Sequence, residues 1–465
     1  MTRNHRQTTG HGTVWEQARS LRYRVAAATL VALGIASLAA PAAVTPVESE
    51  AVPTLGTSMV EMLATNDSTA PVRLSKVRSA VEATLDDPSM TGAGIDVALI
   101  DTGVSPVAGL DGADKVVHGP DLSFEGTTPE VAYLDTYGHG THMAGIIAGT
   151  RASDKGIAPG ARIVSIKTTG HDGMTTVPQV VAAIDWVIEH RNVDGLNIRV
   201  LNLSLGQEGV NDHVGDYLSA AVERAWEAEI FVVVAAGNDG DTQNHLDSPA
   251  VDPYVLAVGA QDYAAGKVST WSATGDGDRN PDLITVGRSI ASYRVPGSTI
   301  DAAAPSARYR ADLFLGSGTS QAAAVVTGVA ALILEAQPEL TPDELKATMT
   351  RNAIDSSDPS AKEGNGRLSG NKAEKELNIS SATQNHSAAA GEASGITTPN
   401  GATWSGGTWS GATWSGATWS GGTWSGATWS GATWSGATWS GATWSGATWS
   451  GATWSGATWS GNGWS

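Results

Sequence analysis

Short, nearly continuous apolar runs alternate with amphipathic helical patterns across the middle of the chain, and this alternation limits the fold more than any other feature. Ile95–Ile100, Ile163–Lys167, Val200–Leu203, Ile230–Ala235 and Val255–Val258 read as strands. His139–Ala148, Val177–His190, Asp216–Glu229, Thr319–Glu335 and Pro342–Ala353 read as helices. Strands without polar alternation suit a parallel sheet covered on both faces. Helices between them suit right-handed crossovers. The expectation is one α/β domain over 86–353, a three-layer, doubly wound, mostly parallel sheet. In such sheets the site lies beyond the carboxyl ends of the strands, so chemistry is to be sought in the residues after each run.

The two ends of the 465-residue chain differ from this middle. Arg3, Arg6, Arg19, Arg22 and Arg24 precede an apolar run from Val25 to Ala40, with small residues at Ala40-Pro41-Ala42. This is the pattern of an export signal over 1–43, and the run is short for a membrane span, which needs about 20 residues. Residues 44–85 read as a short N-terminal or pro segment, with one helical stretch from Leu74 to Leu85. Residues 354–400, rich in Ser, Asn, Ala and Gly, read as a polar linker. From 401 to 465 the sequence repeats Gly-Ala-Thr-Trp-Ser. A period of five matches neither the helix nor the strand repeat, so this tail is expected to lack regular structure. Evenly spaced tryptophans can stack on sugar rings or on one another, so cell-wall glycan and self-association are the partners the tail suggests.

A formal charge of −19 argues against nucleic acid as a partner, because phosphate binding wants basic patches. With no cysteine there is no thiolate nucleophile and no disulfide.

Several segments at strand ends carry chemistry. Asp101-Thr102-Gly103 follows the first strand and reads either as a held acid or as a common Asp-Gly turn. His139 opens a small-residue helix within Tyr137-Gly138-His139-Gly140-Thr141-His142. Two histidines three apart would also suit a metal, but no acid completes a zinc-hydrolase pattern, and His142 reads as structural. Asn238 in Ala236-Gly237-Asn238 can aim an amide N–H at a developing oxyanion, or simply turn the chain beside glycine. In Gly316-Ser317-Gly318-Thr319-Ser320 a serine enters the first turn of a buried helix, where free N–H groups and the positive dipole end point. There it serves as a nucleophile or only as a cap. Acid, base, oxyanion donor and nucleophile thus fall on successive loops at one rim of one sheet.

Four of these motifs, Ile100-Asp101-Thr102-Gly103, His139 to Gly145, Ala236-Gly237-Asn238 and Gly318-Thr319-Ser320, together resemble the subtilisin-like serine peptidases, over about Thr91 to Ala353. The resemblance implies a triad of Asp101, His139 and Ser320. It implies an oxyanion hole of Asn238 and the Ser320 backbone N–H, and a Ser204-Leu205-Gly206 edge that pairs with extended substrate. It also implies protein or peptide substrates, no cofactor for catalysis, and structural calcium with no ligands named. Gln321-Ala322-Ala323-Ala324 departs from the family's Met-Ala-Ser-Pro. Asp247 precedes Ser248-Pro249-Ala250, near where the family lines its first specificity pocket. The plainer expectation for it is a solvated loop carboxylate among Asp241 and Asp252; an acid inside the pocket would favour Lys or Arg. The resulting expectation is a secreted serine endopeptidase. The competing one is a secreted cell-surface binding or scaffold protein on a peptidase fold, acting through the Trp-rich tail.

Overall fold

The computed structural model describes residues 70–83, 89–210, 212–242 and 244–375 with Gln384. It also describes the backbone strand Thr54–Leu55 and short backbone strands from Thr403 to Trp464. The expected export signal lies outside the described residues.

The central sheet is built from β1 (Asp96–Asp101), β2 (Val116–Asp121), β3 (Arg162–Lys167), β4 (Ile198–Leu203), β5 (Phe231–Ala235), β6 (Leu256–Asp262), β7 (Lys267–Val268) and β8 (Leu283–Val286). Their order is β7-β6-β5-β4-β1-β3-β2, with β8 also paired to β6. All pairs are parallel except the β6–β7 hairpin. The chain adds β3 and β2 on one side of β1 and β4 to β6 on the other, so the order reverses between β1 and β4. Ile100 pairs with Leu203, and Leu203 with Val234. The ends of β1, β4 and β5 therefore come level at that reversal, which is where a doubly wound sheet opens a crevice.

The helices α1 (Leu74–Ala80), α2 (His139–Ala148), α3 (Val177–Glu189), α4 (Tyr217–Glu227), α5 (Thr319–Ala336) and α6 (Pro342–Arg351) flank the sheet. Three of them start at residues the sequence marks. Thr176 and Gln179 close a capping box on α3, Asp216 accepts from the Ser219 N–H at 2.8 Å on α4, and Thr341 and Glu344 box α6 behind Pro342. A smaller sheet contains the antiparallel pair β9 (Ile290–Tyr293) and β10 (Leu313–Gly316), and β10 runs directly into α5.

Helix α5 is buried from Thr319 to Leu334. Its Ala, Val and Gly residues allow close contact with β4, β5, β6 and α2. It is the one helix among the described residues long and apolar enough to cross a membrane, and it lies in the protein core instead.

The structure revises three sequence expectations. Residues 72–83 are not a separate segment: Val72, Leu74, Val77, Val81 and Ala83 join the main core. The stretch expected to be linker from 354 folds onto the domain as far as 375. Ile354 bridges Arg367, the Leu368 N–H donates to the Ile284 carbonyl, and Leu368 and Ala373 are buried. The tail carries Thr-Trp-Ser strands where no regular structure was expected. Thr403 pairs in parallel with Thr423 and Thr423 with Thr443, and the same step builds three further columns. Five residues fit no single strand or helix, but strands four repeats apart pair in register, as Trp404 does with Trp424.

The closest packing in α5 gives a direct check on this core. A Cβ at Gly328 would sit 2.5 Å from the Cβ of Ile157, an atom fixed to the backbone. Gly328→Ala should destabilise the domain by roughly 1–3 kcal/mol despite the better helix propensity of alanine. Chemical denaturation in an inactive background checks this; unchanged or raised stability would contradict the packing.

Candidate active site

Asp101 ends β1 and is buried, with one carboxylate oxygen accepting the Thr102 N–H at 2.7 Å. His139 opens α2 from Gly138, whose φ of 109° is left-handed and whose absent Cβ would strike Ser298 and Ile300. The His139 Nδ1 lies 2.8 and 2.9 Å from the two Asp101 oxygens. A carboxylate accepts only, so Nδ1 carries the proton and Nε2 is left as a base. Burial by itself pulls the His139 pKa down; the charge and hydrogen bond of Asp101 and the charge of Asp135 outweigh it, and the net direction is up.

Asp135 is a site residue that sequence reasoning missed. It is buried and accepts from Thr102 Oγ1 at 2.7 Å, the Gly138 N–H at 2.6 Å and the Thr141 N–H at 2.7 Å. Thr102 Oγ1 in turn accepts the Gly140 N–H at 2.8 Å. One carboxylate thus ties the turn after Asp101 to the first turn of the helix that carries His139. The only sequence signal was an acid four residues ahead of a helix-opening histidine.

Ser320 is the second residue of α5. Its N–H is one of the first four of the helix, which have no partner within it. Gly316, at the end of β10, lies against the His142 ring one turn into α2, so the entrance to α5 and the start of α2 share one edge. His142 itself is structural: buried, with Nε2 3.1 Å from the Phe314 carbonyl oxygen, its pKa lowered by burial to about 4. The Ser320 hydroxyl donates to the Ser204 carbonyl oxygen at 3.1 Å, and among the described residues no hydrogen bond joins it to His139. Catalytic hydrogen bonds are often long in a site without substrate and tighten in the complex.

Asn238 follows β5. Its Oδ1 accepts the Thr319 N–H at 2.9 Å and the Thr319 hydroxyl at 3.1 Å. With the oxygen engaged, the amide NH₂ is the end left for a ligand, beside the first turn of α5. Ser204-Leu205-Gly206 leaves β4 towards Ser320, and no hydrogen bond among the described residues uses the backbone of Leu205 or Gly206.

Asp247 contradicts the plainer expectation. It is only 7% exposed, and Asp252 beside it is fully buried, so neither is a solvated loop carboxylate; Asp241 alone of the three is exposed. The Asp247 N–H donates to the Ala236 carbonyl, and a bridge between Gln207 and Ser248 locks its loop to the Ser204–Gly206 segment. Cβ atoms added at Gly237 and Gly206 would lie 2.6 and 3.2 Å from its Oδ2. Among the described residues its carboxylate makes no hydrogen bond or ion pair. Burial first, then the charges of Asp239 and Glu208, push its pKa up to about 7. No group of three His, Asp or Glu side chains that could hold a metal occurs among the described residues.

Residues 92–395 match the family model described as the subtilase family. The chain is 36% identical over 293 residues to serine protease AprX of Bacillus subtilis (strain 168), covering 59% of this chain and 64% of that one. It is 30% identical over 272 residues to the minor extracellular protease Epr of the same organism, covering 57% and 36%. Among solved structures, fervidolysin from Fervidobacterium pennivorans, described as a keratinolytic enzyme related to subtilisin, aligns with a TM-score of 0.51 and 27% identity, over 64% of this chain and 44% of that one. The chain thus spans less than two thirds of the length of these curated relatives.

The buried Asp247 has a consequence for stability. Its folded pKa of about 7 lies above the ordinary 3.8, so the folded state holds the proton more tightly. Stability is then greatest below the ordinary value and falls as pH rises from about 4 to about 7. Asparagine does not titrate. Asp247→Asn should gain stability over the parent by a few kcal/mol between pH 4.5 and pH 8. Denaturant melts at both pH values, in a Ser320→Ala background, check the sign; a difference that is flat with pH would contradict it.

Proposed function

The chain belongs to the subtilase family, and on that premise we propose that it is an exported serine endopeptidase that cuts extended protein chains. The observation that carries this reading is the two-oxygen contact of Asp101 with His139 Nδ1 at 2.8 and 2.9 Å, on the edge where α5 presents Ser320. His139 Nε2 takes the Ser320 proton as Oγ attacks the scissile carbonyl, then returns it to the leaving amine. Asp101 keeps the imidazole in the tautomer with a free Nε2 and stabilises the imidazolium. The tetrahedral oxyanion is held by the Asn238 amide and the Ser320 N–H, both fixed before substrate arrives. The open backbone of Leu205 and Gly206 receives the substrate as an added strand. Export is supported by the basic-then-apolar start of the sequence and by a relative named as extracellular.

For the tail, the strand columns favour self-association. The first strand of each column, such as Thr403–Ser405, is paired on one side only, and an open parallel edge is a template for another copy. Deleting 401–465 should abolish concentration-dependent assembly in sedimentation while leaving peptide turnover intact. Loss of binding to isolated cell walls with no change in assembly would favour glycan instead.

Purified parent, Ser320→Ala and Asn238→Ala proteins test the chemistry, using casein, a covalent serine-directed inhibitor and N-terminal sequencing. Ser320→Ala should lose inhibitor labelling and all but a residue of hydrolysis. Asn238→Ala should lose about 10²–10³ in kcat with KM little changed. Casein hydrolysis surviving in Ser320→Ala would overturn the mechanism.

A further inference from the structure

We propose that Asp247 is the floor of the pocket for the side chain on the acyl side of the scissile bond, and that it selects lysine or arginine there. The inference rests on the serine peptidase reading and deepens it. With the acyl carbon at Ser320 Oγ and its oxygen between Ser320 N–H and Asn238, the acyl residue lies against Ser204, whose carbonyl touches Ser320 Oγ at 3.1 Å. Its side chain then has two peptide walls beside it, 204–207 and 236–238. Both walls are glycine where they meet Asp247, at Gly206 and Gly237, and the carboxylate closes the space between them. Ser204 to Gly206 is a two-residue step, which spans at most roughly 6–7 Å, a length suited to the stem of a long basic side chain.

Other deeply buried acids of the domain have at least one partner each, although among the described residues one oxygen of Asp252 and one of Glu223 stay unbonded. Asp96 is paired with Arg162, Asp154 with Arg73, and Asp301 with Arg294 and Arg308. Asp135 accepts three hydrogen bonds, and Asp252 accepts the Tyr254 N–H and lies in contact with Glu223. Asp247 alone among these has no side-chain hydrogen-bond or ion-pair partner among the described residues, although it is only 7% exposed. A buried charge without a partner is costly, and the group that removes the cost is a cation carrying its own donors. The protein supplies none there. The groups that act most on Asp247 from the facing segments, Asp239 and Glu208, are acidic, and the lysines near its loop are engaged elsewhere, Lys362 by Asp241 at 2.7 Å and Lys346 by Asp282 and the Pro253 and Val255 carbonyls. An ammonium or guanidinium entering with the substrate completes the pair.

Fluorogenic peptides that differ only in the acyl-side residue, Lys, Arg, Leu, Phe or Glu, test this on the full-length processed enzyme at pH 8.5, where the carboxylate is ionised. The parent should turn over Lys and Arg at least about 10-fold faster than Leu or Phe by kcat/KM. Asp247→Asn should lower the Lys-to-Leu ratio by about 10- to 100-fold. An apolar preference in the parent, or an unchanged ratio in the variant, overturns the proposal. Should Asp247→Asn fail to fold, the parent alone decides: an arginine aldehyde should inhibit it at least about 10-fold more tightly than a phenylalanine aldehyde, and the reverse order overturns it. Labelling of Ser320 by a fluorophosphonate separates the two readings. Labelled enzyme with an apolar preference sinks only the specificity, whereas absence of both labelling and turnover sinks the peptidase reading itself.

Discussion

The contact between Asp101 and the His139 imidazole is the interaction on which the rest of the site depends. Neither group could be buried alone: the acid lacks water, and the ring would lose its proton affinity to burial. Joined, each offsets the other's desolvation, and the ring is fixed with Nε2 outward. That geometry requires the end of β1 and the start of α2 to be held in place, and Asp135 does this by binding both at once. The sheet supplies the other half of the arrangement. Because strand order reverses between β1 and β4, the residues after β4 and β5 lie next to the end of β1 and not across the sheet from it.

Helix α5 couples stability to chemistry. Its first turn leaves free N–H groups for an anion, and its remaining turns fill the space between β4, β5, β6 and α2. The same turn anchors Asn238, since Thr319 holds it by the amide oxygen and leaves the amide nitrogen as its free end. The departure at Gln321-Ala322-Ala323-Ala324 is accommodated here: these four residues are buried in an unbroken helix, with no proline to interrupt its hydrogen bonding.

What the sequence made legible was what local pattern decides. Apolar runs such as 230–235 and 255–258 marked their strands because both faces are covered, and the second strand runs on to Asp262. Helix starts at Val177 and Pro342 fell where the amphipathic pattern placed them, and the start at Tyr217 fell one residue inside it. Val116–Asp121 was not readable, because as an edge strand half in water it mixes His118, Gly119 and Pro120 into the run. The 354–375 stretch looked like linker because Ser, Asn and Gly dominate it, and its few apolar groups, such as Leu368 and Ala373, are buried against a surface built elsewhere in the chain. The strand pairing of the tail was hidden because it joins residues four repeats apart. Asp135 and Asp247 failed for the same reason: burial and partners are tertiary facts, and an acid in a polar loop looks the same in sequence whether it faces water or closes a pocket.

The loop from Asp247 to Tyr254 shows where the fold accepts a loss. It buries Asp247 without a partner and sets Asp252 against Glu223, and burial pushes both aspartates up to about 7. A domain selected for stability alone would place apolar or paired groups there, since removing an unpaired buried charge is stabilising. With no cysteine to form a disulfide, the tolerance has to come from the apolar core, above all from α5 and the strands it covers. Such a local cost is maintained where something gains from it, and this loop is bridged to the segment that meets Ser320 and bonded to the one that leads to Asn238. The unpartnered carboxylate is therefore better explained by what binds beside Ser320 than by anything the folded chain does for itself.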